Sequence, residues 1–180
     1  MFTDRPKGKG LNRWFHPDLG IIEAVNYSVS SPVYQQSLTL RDQVLRQPLG
    51  LSIWEENLES ESGQGHFGII QSSGKLDSLL ACVVIVPKTQ ERVKLRQMAV
   101  RPDVQHQGLG RFLIAEVEEY LRQNDVKIIN LAARVSALEF YQKLGYQPSS
   151  SEFMEVGIPH QNLEKRLYPI FQKLEIIPET

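Results

Sequence analysis

Gln105-His106-Gln107-Gly108-Leu109-Gly110 is the stretch around which the rest of this 180-residue chain is organised. It lies between an apolar run that ends near Arg101-Pro102 and a long amphipathic segment that ends at Asn124. This order predicts a strand, a tight turn with two glycines and the start of a helix. The first N–H groups of a helix have no partner within it, and the helix dipole is positive there. The turn is therefore predicted to bind an anion such as a phosphate.

The bulk composition is that of an ordinary globular protein, with 41% hydrophobic and 23% charged residues. A net charge of −1 gives no indication of a nucleic-acid or membrane surface. No apolar run approaches the ~18 residues that a membrane span needs, and the residues after Met1 do not resemble a signal peptide. The single Cys82 excludes an internal disulfide and favours a reducing, cytoplasmic compartment. Because it lies in an apolar strand, it is a poor candidate nucleophile.

The N-terminal half predicts a leader, one strand and one helix. Residues 1–20 are interpreted as an irregular leader, because Lys7-Gly8-Lys9-Gly10 and His16-Pro17-Asp18 break any regular pattern. Residues 21–180 are interpreted as a single domain, which opens with a strand over Ile21–Val29. A helix is predicted from Ser31-Pro32 to the stop at Pro48 and Gly50. Its apolar spacing places these residues on one face: Tyr34, Leu38, Arg41, Val44 and Leu45.

An acidic segment over Trp54–Glu61 is followed by the flexible sequence Ser62-Gly63-Gln64-Gly65. It is interpreted either as a solvated loop or as an acidic rim that attracts an amine. Strands are then predicted over 66–72, 77–87 and 93–100, with a turn at Ser72-Ser73-Gly74-Lys75, and together they form an antiparallel meander. The second of these strands is almost continuously apolar, so it should be central and covered on both faces.

The C-terminal half predicts two further helices and at least two strands. A helix over 108–124 buries one apolar face, and the short strand over 126–132 after it implies a right-handed crossover and a parallel pair. Ser136-Ala137-Leu138-Glu139 fits a capping box for the next helix, with Gly145 as its left-handed stop. The inner face of that helix consists of Ala137, Phe140, Tyr141 and Leu144. The tail contains Phe153-Met154-Glu155-Val156, a turn at Gly157-Ile158-Pro159-His160 and a last strand or mixed segment near 161–172.

The glycine turn can be compared with three nucleotide-binding motifs. The chain lacks the Gly-Lys-Ser/Thr ending of a Walker A loop, and the dinucleotide fingerprint fails because position 113 is Leu113. The third pattern, Gln/Arg-x-x-Gly-x-Gly/Ala, is matched fully by residues 105–110. With the flanking Gln97-Met98-Ala99-Val100 and the later run Phe140 to Tyr146, the sequence resembles the GNAT superfamily of N-acetyltransferases, which use acetyl-CoA. The resemblance covers roughly Tyr34 to Leu167.

Other details resemble the ElaA-like subgroup of that superfamily. They are Leu40-Arg41 with Val44-Leu45, Pro48-Leu49-Gly50, His66 at the entry of a strand, and Gly157-Ile158-Pro159-His160. The resemblance implies an α+β fold of the α/β sandwich type. Its mixed, mostly antiparallel sheet would have six to seven strands with a V-shaped splay and about four flanking helices.

The resemblance also implies the site and the reaction. An amine attacks the acetyl thioester directly, the backbone near Met98 holds the oxyanion, and Tyr141 protonates the CoA thiolate. The superfamily has no fixed base; the candidates here are His66, the carboxylates between Glu55 and Glu61, and His160. Arg134 stands where many members have an asparagine that contacts the CoA arm. The residues predicted to bind acetyl-CoA are Met98, Ala99, Val100, Gln105, His106, Gln107, Gly108, Leu109, Gly110, Arg111 and Arg134.

The expected partners are acetyl-CoA as co-substrate and a small-molecule or peptide amine as acceptor. Nucleic acid, a membrane and a metal ion are not expected, and homodimerisation is left open. The leading hypothesis is therefore a cytoplasmic acetyl-CoA-dependent N-acyltransferase. The alternative is a non-catalytic domain that binds or senses acyl-CoA. Both hypotheses require CoA binding by residues 105–111, and only the first requires release of the CoA thiol.

Overall fold

The computed structural model describes residues 12–72 and 77–168. The predicted features at Lys7–Gly10, within 73–75 and beyond Tyr168 therefore lie outside the described residues. The chain divides into two compact units. The first comprises the chain up to Pro87 together with Leu95–Val117, and the second comprises Lys88–Lys94 together with the chain from Glu118 onwards.

The first unit contains β1 (Arg13–His16), β2 (Gly20–Tyr27), β3 (Gly65–Ser72), β4 (Asp77–Pro87) and most of β5 (Arg92–Val100), in that order across the sheet. The first four strands pair antiparallel with their sequence neighbours. All seven residues from the third to the ninth of β4 are buried. Because successive side chains of a strand point to opposite faces, β4 is covered on both faces, as its apolar composition predicts.

β1 corrects the interpretation of residues 1–20 as an irregular leader. Trp14 pairs with Ile22 and Phe15 with Ile21, so the end of the leader forms a hairpin with β2. Gly20 follows the turn with a positive φ of 72°, a conformation that glycine adopts without strain. A four-residue strand has too few positions to display a period, and its pairing partner identifies it only in the fold. The division of the chain at residue 20 stays a prediction.

α1 (Pro32–Arg41) begins at the predicted position but ends at Arg41, before the predicted stop at Pro48 and Gly50. The Ser31 side chain caps it by accepting a hydrogen bond from the Val33 N–H at 3.2 Å, and Pro32 occupies the first turn. The helix continues as one π-helical turn over Asp42–Arg46. Gly50, with φ of +69°, ends the helical segment in the left-handed conformation.

The acidic segment is folded into short 3₁₀ turns at Ile53–Glu55 and Leu58–Gly63. Asn57 caps the second turn by accepting a hydrogen bond from the Glu59 N–H. Ile53 at its start and Glu61 near its end are buried. The loop predicted over Ser62–Gly65 is shorter in the structure, because Ser62 and Gly63 belong to the second 3₁₀ turn and β3 already begins at Gly65.

α2 (Leu109–Gln123) confirms the helix predicted over 108–124. Leu109, Leu113, Val117, Tyr120 and Leu121 are all buried, as the apolar spacing requires. The helix begins directly at the glycine turn, where the Phe112 N–H donates to the Gly108 carbonyl at 3.0 Å.

The second unit contains the strands β6 (Ile128–Arg134), β8 (Ile158–Arg166) and β7 (Gln147–Glu155), in that spatial order, and the helix α3 (Leu138–Lys143). β8 pairs antiparallel with both of its neighbours. Gly145, with φ of +90°, follows α3 and confirms the predicted left-handed stop. The last carbonyls of α3 accept hydrogen bonds from the N–H groups of Leu144, Gly145 and Tyr146.

Two local predictions in the second unit are wrong. α3 begins at Leu138 after a 3₁₀ turn at Val135–Ala137, and no side chain caps it, so Ser136 forms no capping box. The hairpin turn lies at Val156 and Gly157, with φ of 47° and 78°, and Ile158–His160 already belong to β8. Two consecutive positive φ angles match the two-residue turns that fit strand twist. The turn therefore sits earlier than the proline in the sequence suggests.

The α+β class, mostly antiparallel pairing and about four helical segments are confirmed. Eight strands occur among the described residues, rather than six to seven, because β1 was not expected. The predicted parallel pair and V-shaped splay stay predictions.

Candidate functional site

The glycine turn connects β5 to α2 in the first unit. A 3₁₀ turn at Pro102–Val104 follows β5, and the chain then passes through His106 with φ of +62° and Gly108 with φ of +85° before α2 begins. His106 adopts the left-handed region in spite of its side chain, which is uncommon for a residue other than glycine. These two positive φ angles turn the chain sharply before α2. The first N–H groups of α2 have no partners within the helix. The strand, turn and helix predicted from residues 105–110 are thus observed.

Side-chain hydrogen bonds fix the chain just before the glycine turn. Gln105 donates from Nε2 to the Val100 carbonyl at 3.0 Å. Arg101 pairs with Asp103 on one side and donates to the Ser78 hydroxyl at 3.0 Å on the other. The four residues at the tip and just inside the helix that remain exposed are Gln105, His106, Gly108 and Arg111. Leu109 is buried, so it offers a ligand only its backbone.

The N-terminal strand β1 also reaches this turn. His16 is buried and donates from Nε2 to the Gln107 carbonyl at 3.2 Å. The Trp14 ring lies 5.3 Å from that of Phe112, and one of its atoms lies 3.6 Å from the position that a Gly108 Cβ would take. Neither residue carries a sequence signal for this contact, because His16-Pro17-Asp18 indicates only a break in regular structure.

The predicted cofactor strand, Met98-Ala99-Val100, forms the end of β5 in the same unit. Gln97, directly before it, has a positive φ of 51°. A positive φ is uncommon for a residue other than glycine, so the backbone of β5 is irregular directly before Met98. Ala99 is buried beneath it.

Gln97 is held by a buried charge. Its Oε1 accepts a hydrogen bond at 2.5 Å from Nη1 of Arg41, whose side chain is fully buried on α1. Arg41 also makes two hydrogen bonds of 2.9 Å to Glu61, and Tyr34 donates to the same carboxylate at 2.9 Å. Burial would raise the pKa of Glu61, but the hydrogen bonds and charge of Arg41 outweigh it and lower the pKa. The one sequence signal for this network was an arginine on the apolar face of α1.

His66, a predicted base, is buried at the start of β3 between the rings of Tyr27 and Tyr34. Its Nε2 lies 2.9 Å from the Glu61 carbonyl, which can only accept, so Nε2 carries the proton and Nδ1 the lone pair. Burial lowers the pKa of His66. Nδ1 is buried without a hydrogen-bond partner among the described residues. His66 also lines a cavity of about 180 Å³ at the ends of β2 and β3.

The other predicted bases differ in their surroundings. Glu55 and Glu59 are exposed, whereas Glu56 pairs with Arg46 and Glu61 with Arg41. His160, in the second unit, is buried, stacks on Phe153 and donates from Nδ1 to the Ile158 carbonyl at 3.0 Å. The exposed carboxylates are accessible to an amine substrate, whereas the paired ones are already engaged in ion pairs with arginine.

Tyr141, the predicted general acid, lies on α3 in the second unit. It is buried, and its ring meets that of Tyr146 edge-on at 5.7 Å. Burial raises the pKa of the Tyr141 hydroxyl, so the group keeps its proton at neutral pH. Arg134, the last residue of β6, is half-buried and pairs in register with His160 of β8.

Neither the cysteine nor a metal-binding cluster provides a further candidate site among the described residues. Cys82 is buried in β4, and burial raises the pKa of its thiol to about 12, so it is unsuited to act as a thiolate nucleophile. Residues 12–72 and 77–168 contain no cluster of three His, Cys, Asp or Glu side chains that would hold a metal ion. No helix in this described part is both long enough and apolar enough to cross a membrane.

Comparison with known proteins gives a family match. The model of the acetyltransferase (GNAT) domain matches residues 52–167. The uncharacterised protein YyaT of Bacillus subtilis is 38% identical over 74 residues, which are 41% of this chain and 50% of that protein. A UPF0039 protein of Schizosaccharomyces pombe is 29% identical over 105 residues, which are 57% of this chain and 68% of that protein. The alignment thus spans about half the length of the Bacillus relative.

Solved structures share the fold. Escherichia coli ElaA superposes with a TM-score of 0.67 at 21% identity, over 80% of this chain and 99% of ElaA. A GNAT family acetyltransferase of Elizabethkingia anophelis with acetyl-CoA bound gives a TM-score of 0.61 at 18% identity, over 81% of this chain and 98% of that structure.

Proposed function

Because the chain belongs to the acetyltransferase (GNAT) domain family, we propose that it transfers an acetyl group from acetyl-CoA to a primary amine. The observation that carries this proposal is the glycine turn at 105–110, which leads from the segment after β5 into the first turn of α2. A neighbour with the same fold has acetyl-CoA bound. Acetyl-CoA is accordingly proposed as the co-substrate.

The pyrophosphate of CoA is proposed to bind at residues 105–111. Its negative charge would meet N–H groups at the positive end of α2. A side chain at Gly108 would be strained, since φ there is +85°, and its Cβ would lie 3.6 Å from the Trp14 ring. Arg111 is exposed in the first turn of the helix and adds a positive charge.

The acetyl thioester is proposed to lie along Met98-Ala99-Val100, with Arg134 contacting the CoA arm. The Met98 N–H would hold the thioester oxygen, and Gln97 sets its direction through the irregular backbone before it. The amine nitrogen forms a bond to the carbonyl carbon and gives a tetrahedral oxyanion. Collapse of that intermediate breaks the carbon–sulfur bond and releases the CoA thiolate, without an acyl-enzyme.

Tyr141 is proposed to protonate the departing thiolate. A protonated phenol is needed for this step, and burial of Tyr141 keeps its pKa above the ordinary value. Proton transfer of this kind contributes roughly 10²–10⁴ to a rate.

His66 is proposed as the base that removes a proton from the amine. Because Nε2 donates its proton to the Glu61 carbonyl, Nδ1 is the nitrogen that can accept a proton. The ring also lines the small cavity beside β2. Glu55, Glu59 and His160 are the alternatives. The acceptor is proposed to be a small-molecule or peptide amine, and the enzyme to work in the cytoplasm, with homodimerisation left to experiment.

Release of the CoA thiol from acetyl-CoA, measured with a thiol reagent across a panel of amines, tests this function. Amine-dependent release is expected. CoA binding in a calorimeter without release for any amine would favour the alternative, a non-catalytic acyl-CoA-binding domain. Absence of CoA binding would refute both.

Gly108→Val tests the turn itself and should abolish CoA binding. Gly50→Val is the matched control, because Gly50 also has a positive φ, of 69°, and lies at the end of the helical segment after α1. It imposes similar backbone strain and should leave CoA affinity unchanged. Normal CoA binding by Gly108→Val would show that the pyrophosphate does not lie on this turn.

A further inference from the structure

The segment from Asn12 to Leu19 packs against the glycine turn and α2, although it lies outside the residues 52–167 that the family model matches. Asn12 donates to Glu116 of α2 twice, from its backbone N–H at 2.9 Å and from Nδ2 at 3.1 Å. Trp14 packs on Phe112. All of these residues belong to the first unit. A segment additional to the family domain therefore contacts the element on which the proposed function depends.

The hydrogen bonds of His16 define its tautomer. Its Nδ1 accepts from the N–H groups of Asp18 at 3.2 Å and Leu19 at 3.3 Å, so Nδ1 carries the lone pair. The proton is consequently on Nε2, which donates to the Gln107 carbonyl at 3.2 Å. His16 is only 4% exposed, and the Trp14 ring meets its imidazole edge-on with ring centroids 5.1 Å apart. His16 thus has one orientation and a single donor, directed at the turn.

We propose that His16 positions the Gln107–Gly108 peptide so that the Gly108 N–H faces the CoA pyrophosphate. A trans peptide is planar, and its C=O and N–H point in opposite directions. Holding the Gln107 oxygen against His16 therefore directs the Gly108 N–H away from β1. This inference rests on the proposed binding of CoA at residues 105–111.

A positioning contact is needed here because a glycine peptide rotates easily. Gly108 has no Cβ to restrict it, and its φ of +85° is one of several conformations open to glycine. Rotation of the 107–108 peptide would turn the N–H away from the ligand and present the carbonyl oxygen, which repels a phosphate. The bond from His16 opposes that rotation before any ligand arrives, so less ordering is needed on binding.

Two substitutions of His16 separate positioning from simple packing. His16→Asn keeps an acceptor near the Nδ1 position for Asp18 and Leu19 but cannot reach Gln107. His16→Gln places an amide N–H near the Nε2 position, within reach of Gln107, but loses that acceptor. We expect His16→Asn to weaken CoA binding about tenfold, and His16→Gln to retain most of the affinity, because only the latter keeps the peptide oriented. Equal losses in both variants, or a larger loss in His16→Gln, would overturn the proposal.

The truncated donor S-acetylpantetheine has no pyrophosphate. Comparing it with acetyl-CoA separates a defect at the pyrophosphate site from a general loss of structure, which would affect both donors. His16→Asn should raise KM for acetyl-CoA but leave kcat/KM for S-acetylpantetheine at the wild-type value. Arg13→Ala is the control on the same strand, since its side chain is 72% exposed and pairs with Glu23 of β2. Arg13→Ala should leave the kinetic constants for both donors at the wild-type values. A parallel decline for both donors in His16→Asn would contradict a role at the pyrophosphate.

A measurement on the wild-type protein covers the case in which His16→Asn does not fold. The amide resonance of Gly108 should shift when CoA is added and stay in place when pantetheine is added. CoA binding in a calorimeter without a shift of Gly108 would overturn the inference while leaving the proposed function intact. Absence of CoA binding by the wild type would instead refute the proposed function.

Discussion

Arg41 of α1 and Glu61 of the acidic segment form a bidentate ion pair inside the first unit, with both N–O distances at 2.9 Å. The Arg41 side chain is fully buried, and that of Glu61 is 7% exposed. Tyr34 donates to the same carboxylate, and Arg41 extends to Gln97 on β5. One buried guanidinium thus connects a helix, a 3₁₀ turn and the strand that leads to Met98. Such a pair is weak evidence of net stability, but removal of one partner is costly.

Glu61→Gln should therefore destabilise the protein strongly. The substitution leaves Arg41 charged and buried without its counter-ion, which costs about 3–5 kcal/mol in comparable sites. Urea unfolding followed by circular dichroism would measure the change. Glu139→Gln is the control, because Glu139 pairs with Lys143 on the surface of α3 and both side chains are more than 70% exposed. We expect no measurable change there; comparable losses in the two variants would show that burial of the Arg41 pair is unimportant.

His66 should make the stability of the protein fall as the pH drops below about 6.5. Burial lowers the pKa of His66 from its ordinary value of 6.5, so the unfolded chain takes up a proton before the folded chain does. The stabilisation from neutral His66 is thus fully present above about 6.5 and is lost as the pH falls toward the lower folded pKa. Urea unfolding across this range should show falling stability.

His66→Gln should reduce that slope, because glutamine does not titrate. His106→Gln is the matched control, since His106 lies exposed at the tip of the glycine turn. Glu61, whose pKa is lowered from 4.5, loses its contribution only at more acidic pH and does not interfere. An undiminished slope in His66→Gln would assign the pH dependence to another group.

Gly68→Ala should destabilise the first unit because β3 and β4 are tightly packed there. An added Cβ would lie 2.6 Å from a Leu79 methyl carbon and 2.9 Å from the Ala81 carbonyl oxygen, which belongs to the backbone and cannot rotate away. Overpacking of this kind costs roughly 1–3 kcal/mol. Gly63→Ala is the control, since no heavy atom lies within 4 Å of the corresponding Cβ. Calorimetric unfolding temperatures would compare them, and unchanged stability of Gly68→Ala would refute the close packing.

Tyr141→Phe should lower kcat by roughly 10² or more near neutral pH, because the thiolate then leaves without a proton from a neighbouring acid. CoA affinity should stay at the wild-type value, since the ring and its packing remain. Tyr146→Phe removes a hydroxyl from the buried ring that contacts Tyr141 and is expected to leave kcat nearly unchanged. Steady-state kinetics with a saturating amine would measure both, and normal turnover by Tyr141→Phe would exclude it as the acid.

The family and much of the local structure were predictable. The resemblance to the GNAT superfamily is confirmed by the domain match over residues 52–167, and the likeness to ElaA holds at the level of fold. The apolar run of β4 and the periodic face of α2 were identified correctly, because burial of a regular element leaves a repeat in the sequence. The glycine turn and the stop at Gly145 were identified because positive φ angles favour glycine.

The errors have a common physical cause. β1 is too short to show a period, and its pairing with β2 and contact with the glycine turn come from elsewhere in the chain. The capping box at Ser136 is a valid local option, but the chain forms a 3₁₀ turn there before α3 begins. The turn at Val156 places a β-branched residue at positive φ, which local preference disfavours and the pairing of β7 with β8 imposes.

The sequence by itself determined the glycine turn, the periodic elements and the family, because each depends on residues close together in the chain. Only the tertiary structure decided which side chains support the turn and the cofactor strand. His16 and Gln107 are 91 positions apart, and Arg41 is 20 positions from Glu61 and 56 from Gln97. Such contacts leave no periodic trace, since their geometry arises when distant segments pack together. A buried polar group must then be satisfied by whichever partner the fold brings within reach.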